Sequence, residues 1–366
     1  MKRIGVFLGC FFITAYLLPQ DVVKNGRVPL NPDGGRVLNI EEVLRIEGEG
    51  EGYFHNGATA LDVDGEGNIY IQDAWSTAIP MHFLKFSPDG RFIKDLYRQG
   101  EGPGEIANMY EFVLGDDVIY VFDMTKRKLI VFSMEGELVE EIKHEKDGLS
   151  ELLGLHGGGL VAVRREYPVE RPTSGLYDIL HHIGLLPCEG GEPKPPLTLS
   201  QKSFFIASGL GGGGMSWAPS ILALRQGKIA ACTTCNYLVE VYDLDKKKVI
   251  TRFNRRYPRI KYEMQDRMKD FVNKFNAPKK KYVNDIKNLF IDGDFIWVET
   301  STVDEEKGKL FDLFDDQGRF LDSFFIPIEG QIVKISCDAV FSTEQNDEGL
   351  PVIVKYKILE PVGYKE

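Results

Sequence analysis

Arg98-Gln99-Gly100-Glu101-Gly102-Pro103-Gly104-Glu105-Ile106 is a glycine-rich connector between two segments that each read as a set of short strands. Ahead of it, Ala60 to Asp64, Ile69 to Asp73, His82 to Phe86 and Phe92 to Leu96 are separated by turns at Gly65-Glu66-Gly67-Asn68 and Ser87-Pro88-Asp89-Gly90, and by one loop. Behind it the pattern returns as Phe112 to Leu114, Val118 to Asp123, Lys128 to Phe132 and Leu138 to Ile142. Period-two alternation bounded by Asp-Gly and Asn turn signals is the pattern of antiparallel hairpins. A four-strand unit that recurs belongs to an array rather than to a lone sheet. Gly48-Glu49-Gly50-Glu51-Gly52 has the same character as the connector, so it too marks the end of a unit. Only Val37 to Ile46 precedes it, an outer strand with no unit of its own.

The rest of the chain continues the count. A looser third unit holds Leu152 to Leu155, Leu160 to Val163 and Gly175 to Leu180. It is followed by a proline-rich excursion through Cys188, Pro193, Pro195 and Pro196 to Ser203-Phe204-Phe205-Ile206, and by a flexible loop over Gly209 to Gly214. The fourth runs from Ser220 to Phe253, the fifth from Ile286 to Ile326, and the sixth from Ile332 to Ile358 with only three strands. The orphan N-terminal strand supplies the one that is missing. The sequence therefore predicts an all-β six-bladed β-propeller over residues 37–366, closed by an N-terminal strand in the last blade. One short inserted helix is expected at Tyr262 to Phe275, where Met264, Met268, Phe271, Val272 and Phe275 fall at helical spacing. A chain of 366 residues can remain one domain in this architecture, because each blade adds its own core layer.

Lys2 and Arg3, an apolar run from Ile4 to Leu18 and the exit Pro19-Gln20-Asp21 form the pattern of a signal peptide over residues 1–20. Residues 21–36 read as a linker. The run is shorter than the roughly 20 residues a membrane span needs, so no stable span is expected after processing. Ile13-Thr14-Ala15 is a small-residue cleavage site, with lipid attachment at Cys10 the alternative. The expected location is exported: periplasmic, cell-surface or secreted. Fifty-five acidic against 44 basic residues give a net charge of -11, which repels phosphate backbones and argues against nucleic acid as a partner. Cys188, Cys232, Cys235 and Cys337 would remain after cleavage. Cys232-Thr233-Thr234-Cys235 has redox or zinc half-site spacing, but strand-like flanks and the lack of a second pair favour structural thiols.

The residues Asp64 to Ile71, Phe83 to Gly90 and Gly100 to Glu105 resemble the NHL-type repeat. More narrowly, the chain resembles the exported six-bladed β-propeller family of bacteria, with its G-x-G-P-G-[EQ] linker and a charged helix ahead of a late blade. The likeness is strong over the first two blades, fair over the fourth and fifth, and weak elsewhere. It implies the fold and export, and it implies no catalytic residues.

Related propellers include metal-dependent lactonases and lyases, whose ions are held in the central channel at the starts of inner strands. At such positions this chain offers Asn56, Glu111, Glu151, Ser220 and Asn284, with His156 a further candidate. They include oxygen ligands of the calcium type, though strand starts are polar in any ring because they are solvated. No cofactor is expected, and calcium is the one ion the set suggests. His181-His182 reads as a surface pair with no matched carboxylate, and Asp62, Asp64, Asp292 and Asp294 as turn formers. Glu101 and Glu105 would repel phosphate from the glycine connector, which is therefore structural. Arg255, Arg256, Arg259, Lys261 and Lys279-Lys280-Lys281 flank the helix and concentrate positive charge on an acidic protein. The expected function is a non-enzymatic binding or scaffold module for a protein, peptide or glycan, with a metal-dependent, lactonase-like hydrolase or lyase as the alternative.

Overall fold

The computed structural model describes residues 21–362 except 49, 56, 74–80, 144–148, 170–173, 187–196, 209–210, 276–277 and 337. Its strands form six sheets, each opening on the strand that follows a connector. The chain is a six-bladed β-propeller. Blade one is Ala60–Val63, Ile69–Asp73, His82–Phe86 and Phe92–Asp95; blade two is Met109–Leu114, Val118–Asp123, Lys128–Ser133 and Leu138–Lys143. Blade three is Leu149–His156, Gly159–Glu166, Ser174–Leu186, Leu197–Ser208 and Gly211–Ala218. Blade four is Ser220–Arg225, Lys228–Thr233, Leu238–Asp243 and Lys248–Arg255; blade five is Ile286–Asp292, Phe295–Asp304, Gly308–Asp315 and Phe320–Ile326. Blade six has Gln331–Ser336, Ala339–Gln345 and Pro351–Ile358, and its fourth strand is the N-terminal Ile40–Ile46. Six apolar clusters fill the six seams between neighbouring blades.

Blade three departs from the expected pattern. The segment expected as a flexible glycine loop is largely strand: Gly211–Ala218 pairs through its backbone with the preceding strand, Ser208↔Gly211 to Lys202↔Ala218. The excursion is thus a long hairpin that widens this blade to five strands. Its stretch 187–196, with Cys188 and the prolines, lies outside the described residues, as do the signal segment with Cys10, and Cys337.

The N-terminal segment holds the ring at three places. Residues 21–36, expected as a linker, carry β1 (Val23–Asn25), which pairs in parallel with the outer strand of blade four. They also open β2 (Arg36–Val37), which does the same on blade five. Then β3 (Ile40–Ile46) runs antiparallel to Pro351–Ile358, from Ile353↔Ile46 to Ile358↔Ile40. A bulge at Val43, where Leu44 pairs with Lys355 but Glu42 with Tyr356, shifts the side-chain phase of β3. Ile40, with Leu38 just before it, therefore packs into the seam between blades five and six, whereas Leu44 and Ile46 pack into the seam between blades six and one. One strand seals both sides of the last blade.

The glycine connector is a closed loop folded around Glu105. Glu105 Oε2 accepts from the Gly102 N–H at 2.8 Å, and Gln99 bridges Ile106. A Cβ on Gly100 would lie 1.9 Å from that carboxylate, and Gly104 sits at φ +72°, so both positions need glycine. Gly104 N–H and Lys128 Nζ both donate to Glu141 Oε1, at 2.9 and 2.6 Å, fastening the loop to the outer part of blade two. Beyond it, Asp123 Oδ2 accepts from Ala107 N–H at 2.7 Å, just before the inner strand begins. Asp73 accepts from His55 N–H in the same way, Thr234 Oγ1 donates to Pro219 O, and Ser301 Oγ to Asn284 O. In four blades the end of the second strand thus anchors the segment leading into the first.

Two of the carboxylates expected to form turns instead pair across seams. Asp62 meets Lys334 of blade six at 2.5 Å, and Asp292 meets Arg225 of blade four at 2.5 Å. Asp64 is a turn former, accepting from Glu66 and Asn68 N–H. Between blades four and five, Asp312 is fully buried and accepts from Tyr237 Oη at 2.5 Å, Ser323 Oγ at 2.9 Å and the Arg255 guanidinium at 2.9 Å. Burial pushes its carboxyl above the usual range.

The inserted helix α1 spans Asp266–Phe275 and starts later than expected. Residues 260–262 pair with 281–283 instead, through Tyr262 N–H to Lys281 O and Val283 N–H to Ile260 O.

Candidate functional site

The connections between blades reach the inner strands at one face of the ring, the upper face, where the second strands also end. Glu111 is the third residue of the inner strand of blade two and Glu151 the third of blade three. Both follow a bulge, at Tyr110 and Ser150, at matching places in the two ladders. A bulge re-aims the side chain beside it. Glu111 Oε2 crosses to blade three and accepts from Leu152 N–H at 2.5 Å. Burial, and then the charge of Glu151, push the Glu111 carboxyl well above its ordinary range; burial does the same to Glu151. The Arg165 guanidinium opposes both shifts and hydrogen-bonds the Tyr110 side chain. Gln72 of blade one donates from Nε2 to Tyr110 O at 2.9 Å. These contacts join the upper ends of blades one, two and three.

Ser220 and Asn284 are brought together around Thr234. Asn284 Nδ2 donates to Thr234 Oγ1 at 2.9 Å, and Thr234 in turn donates to Pro219 O, the residue before Ser220. Ser220 N–H reaches Gln201 Oε1 at 3.4 Å. Asn56 lies outside the described residues. His156 is at the opposite end of its strand, beside the turn to Gly159, where Nε2 meets Asp245 Oδ1 at 2.9 Å, so it does not join the set.

Buried polar atoms without partners are rare in folded proteins. Among the described residues eight atoms are of this kind: Gln72 Oε1, Arg165 Nε, His181 Nε2, Ser220 Oγ and Asn284 Oδ1 lie toward the upper ends of blades one, three, four and five, and Tyr242 Oη, Arg255 Nε and Trp297 Nε1 lie elsewhere in blades four and five. The histidine pair differs from its expected surface role. His181 is 2% exposed on the strand opposite Arg165, and burial, with the charges of Arg165 and His182, pushes its pKa down to about 4. His182 has a carboxylate after all, with Nε2 2.9 Å from Glu166 and Nδ1 3.0 Å from Thr198 Oγ1. Cys232 and Cys235 are free thiols; burial pushes Cys232 up to about 12, far from a reactive thiolate.

Residues 62–161 match the model of a family described as a 6-bladed beta-propeller. No curated protein matches the chain. Among solved structures, the chain is similar to a protein of Bacteroides fragilis described as exported, at 13% identity and a TM-score of 0.57, covering 93% of this chain and 100% of that one. It is also similar to a protein of Bacteroides vulgatus, at 12% identity and a TM-score of 0.49, covering 89% and 100%. A gluconolactonase of Xanthomonas campestris aligns at 12% identity and a TM-score of 0.42, covering 90% and 97%. At 13% identity the likeness to the Bacteroides fragilis protein is one of fold alone.

Proposed function

We propose that this propeller is an exported, non-enzymatic binding module of the NHL-like bacterial kind, taking a protein, peptide or glycan ligand at the upper mouth of its channel. The observation that carries the reading is that five of the eight unpartnered buried polar atoms among the described residues lie toward one face, next to the Glu111, Glu151 and Arg165 cluster. Such groups carry a desolvation cost until something hydrogen-bonds them. A ligand dense in donors and acceptors would do so. Export is supported by the basic, apolar N-terminal segment and by the description of the Bacteroides fragilis neighbour. Among the described residues no helix is long and apolar enough to cross a membrane.

The metal-dependent reading finds less support in the donor set. Among the described residues no three His, Cys, Asp or Glu side chains come together to hold an ion. Glu111 and Glu151 share their space with the Arg165 guanidinium, which already supplies the positive charge that a calcium ion would bring.

The test is a melting screen against oligosaccharides and peptides, run on the wild type and on Ser220→Ala with Asn284→Ala. A ligand should raise the melting temperature of the wild type and fail to raise that of the double variant. Equal stabilisation of both would move the site elsewhere, and a stoichiometric ion whose chelation lowers the melting temperature would replace the binding reading with the metal one.

A further inference from the structure

The connection between blades four and five, residues 256–283, holds nine Lys and Arg against three Asp and Glu, in a chain whose net charge is -11. It is built on a fixed base. The backbone ladder of 260–262 with 281–283 places Lys261 directly opposite Tyr282. The Arg259 guanidinium lies 4.6 Å from the centre of the Tyr282 ring and is held there by Asp285 Oδ1 at 2.9 Å and Cys235 O at 2.7 Å. Lys281 Nζ lies 5.3 Å from the same ring. Below, Val272 of α1 is buried and Asp285 N–H donates to Thr234 O at 2.8 Å. Arg256, Lys261, Lys279 and Lys281 are exposed, and among the described residues none of the four meets a carboxylate. A rigid support thus presents a row of cations that the fold itself does not neutralise.

We infer that residues 256–262 and 279–283 form a docking surface for an acidic polysaccharide, separate from the channel mouth. Lys261 and Lys281 stand on the two facing segments of the ladder, with Arg256 and Lys279 just before it, so the charge is spread over several separate groups, which suits a linear polyanion better than a single anion. Tyr282 is taken up by Arg259 and Lys281, but Tyr262, half-buried beside Lys261, would add an aromatic contact to a sugar ring while the ammonium groups meet uronate carboxylates. A bilayer is the poorer fit, because Ile260 is the one large apolar side chain that stands exposed among the described residues of the segment. The acidic remainder of the chain repels a nucleic acid, whose charge density is higher than that of a polyuronate.

The experiment measures binding of the full chain to polygalacturonate by affinity electrophoresis, with neutral dextran, poly-glutamate and oligothymidylate as comparison probes. The wild type should bind polygalacturonate and weaken several-fold as salt rises from about 0.05 to 0.2 M. Lys261→Glu with Lys279→Glu and Lys281→Glu should lose at least tenfold. Arg91→Glu with Lys143→Glu and Lys357→Glu makes the same change in net charge at exposed positions on blades one, two and six and should change binding less than twofold. Lys279→Gln alone, a neutral change at an exposed position, should still lose a measurable part of the affinity. The inference is overturned if the wild type ignores polygalacturonate, if the distant triple variant loses as much as the local one, or if poly-glutamate or oligothymidylate binds as tightly. None of these results bears on ligands at the channel mouth.

Discussion

If β3 seals both seams of blade six, truncating its two anchors should damage two separate interfaces. Leu38 is 1% exposed in the seam with blade five, and Ile46 is 4% exposed in the seam with blade one. Replacing a buried Leu or Ile by Ala removes its transfer free energy and leaves a cavity, about 2–4 kcal/mol at each site. The two side chains share no cluster, so their losses should add to about 4–8 kcal/mol. That is a large fraction of the roughly 5–15 kcal/mol by which folded domains are stable. Leu38→Ala, Ile46→Ala and the double variant would be compared by denaturant and thermal melts, with sedimentation to detect association through the uncovered edge of Pro351–Ile358. A synthetic peptide of residues 36–47, added to a chain that starts at Gly48, should restore part of the lost stability. The reasoning is refuted if the double variant melts like the wild type. It is refuted equally if the double variant loses no more than the worse single one, because the two seams would then not be independent.

Asp123 is buried and accepts from three backbone N–H groups, of Ala107, Thr125 and Lys126, so Asp123→Ala should cost about 3 kcal/mol. Asp304→Ala, which takes two acceptor contacts from an exposed turn, should cost less than about 1 kcal/mol, and equal losses in chemical denaturation would contradict the anchoring role. Glu111 binds its proton more tightly folded than unfolded, so its contribution to stability is greatest in acid and is lost as pH rises through its folded pKa. Glu111→Gln should therefore flatten the fall in melting temperature above pH 4.5, the ordinary value for a glutamate, and raise it near neutrality; a profile parallel to the wild type would count against the assignment. Iodoacetamide under native conditions should label Cys235 well before Cys232, whose buried thiol is held near 12, and peptide mapping that finds the reverse order would mean the fourth blade opens readily.

Much of the ring was legible because its information is local. Asp89-Gly90 and Gly67-Asn68 fix hairpins by turn chemistry, and counting strands between the two glycine connectors left one strand at the N-terminus to be placed. The straps β1 and β2 were not legible. Three and two residues carry no periodicity, and what holds β1 is backbone pairing together with Asn25, whose Nδ2 donates to Asn254 O and Gly318 O. Gly211 to Gly214 read as loop for a related reason, since their strand is defined by the partner at 205–208 and not by side chains. Of the candidate residues, Glu111, Glu151, Ser220 and Asn284 were placed by position along the chain alone, at or just before the starts of inner strands, and the structure has them there. Position could not find Gln72 and Arg165, which come from the ends of second strands, or the bulges that turn the carboxylates. His181 did carry a signal: alternation with Ile179 and Ile183 places it on their buried side.

The order of contacts along the N-terminal segment bears on how the ring forms. Val23, Arg36 and Ile46 meet Phe253, Phe324 and Ile353, so successive points on the segment meet blades four, five and six in the order in which those blades are made. Joining residue 46 to residue 353 in one step closes a loop of about 300 residues, which for a flexible chain costs about 5 kcal/mol of configurational entropy. With residues 23–25 already docked on blade four and blade five folded, the next contact closes only the ten or so free residues before Arg36, at about 2 kcal/mol, and the step from there to blade six is shorter still. A chain that leaves its site of synthesis or export N-terminus first can therefore zip its ring shut blade by blade, with the segment that emerges earliest serving as the track along which the last three blades assemble.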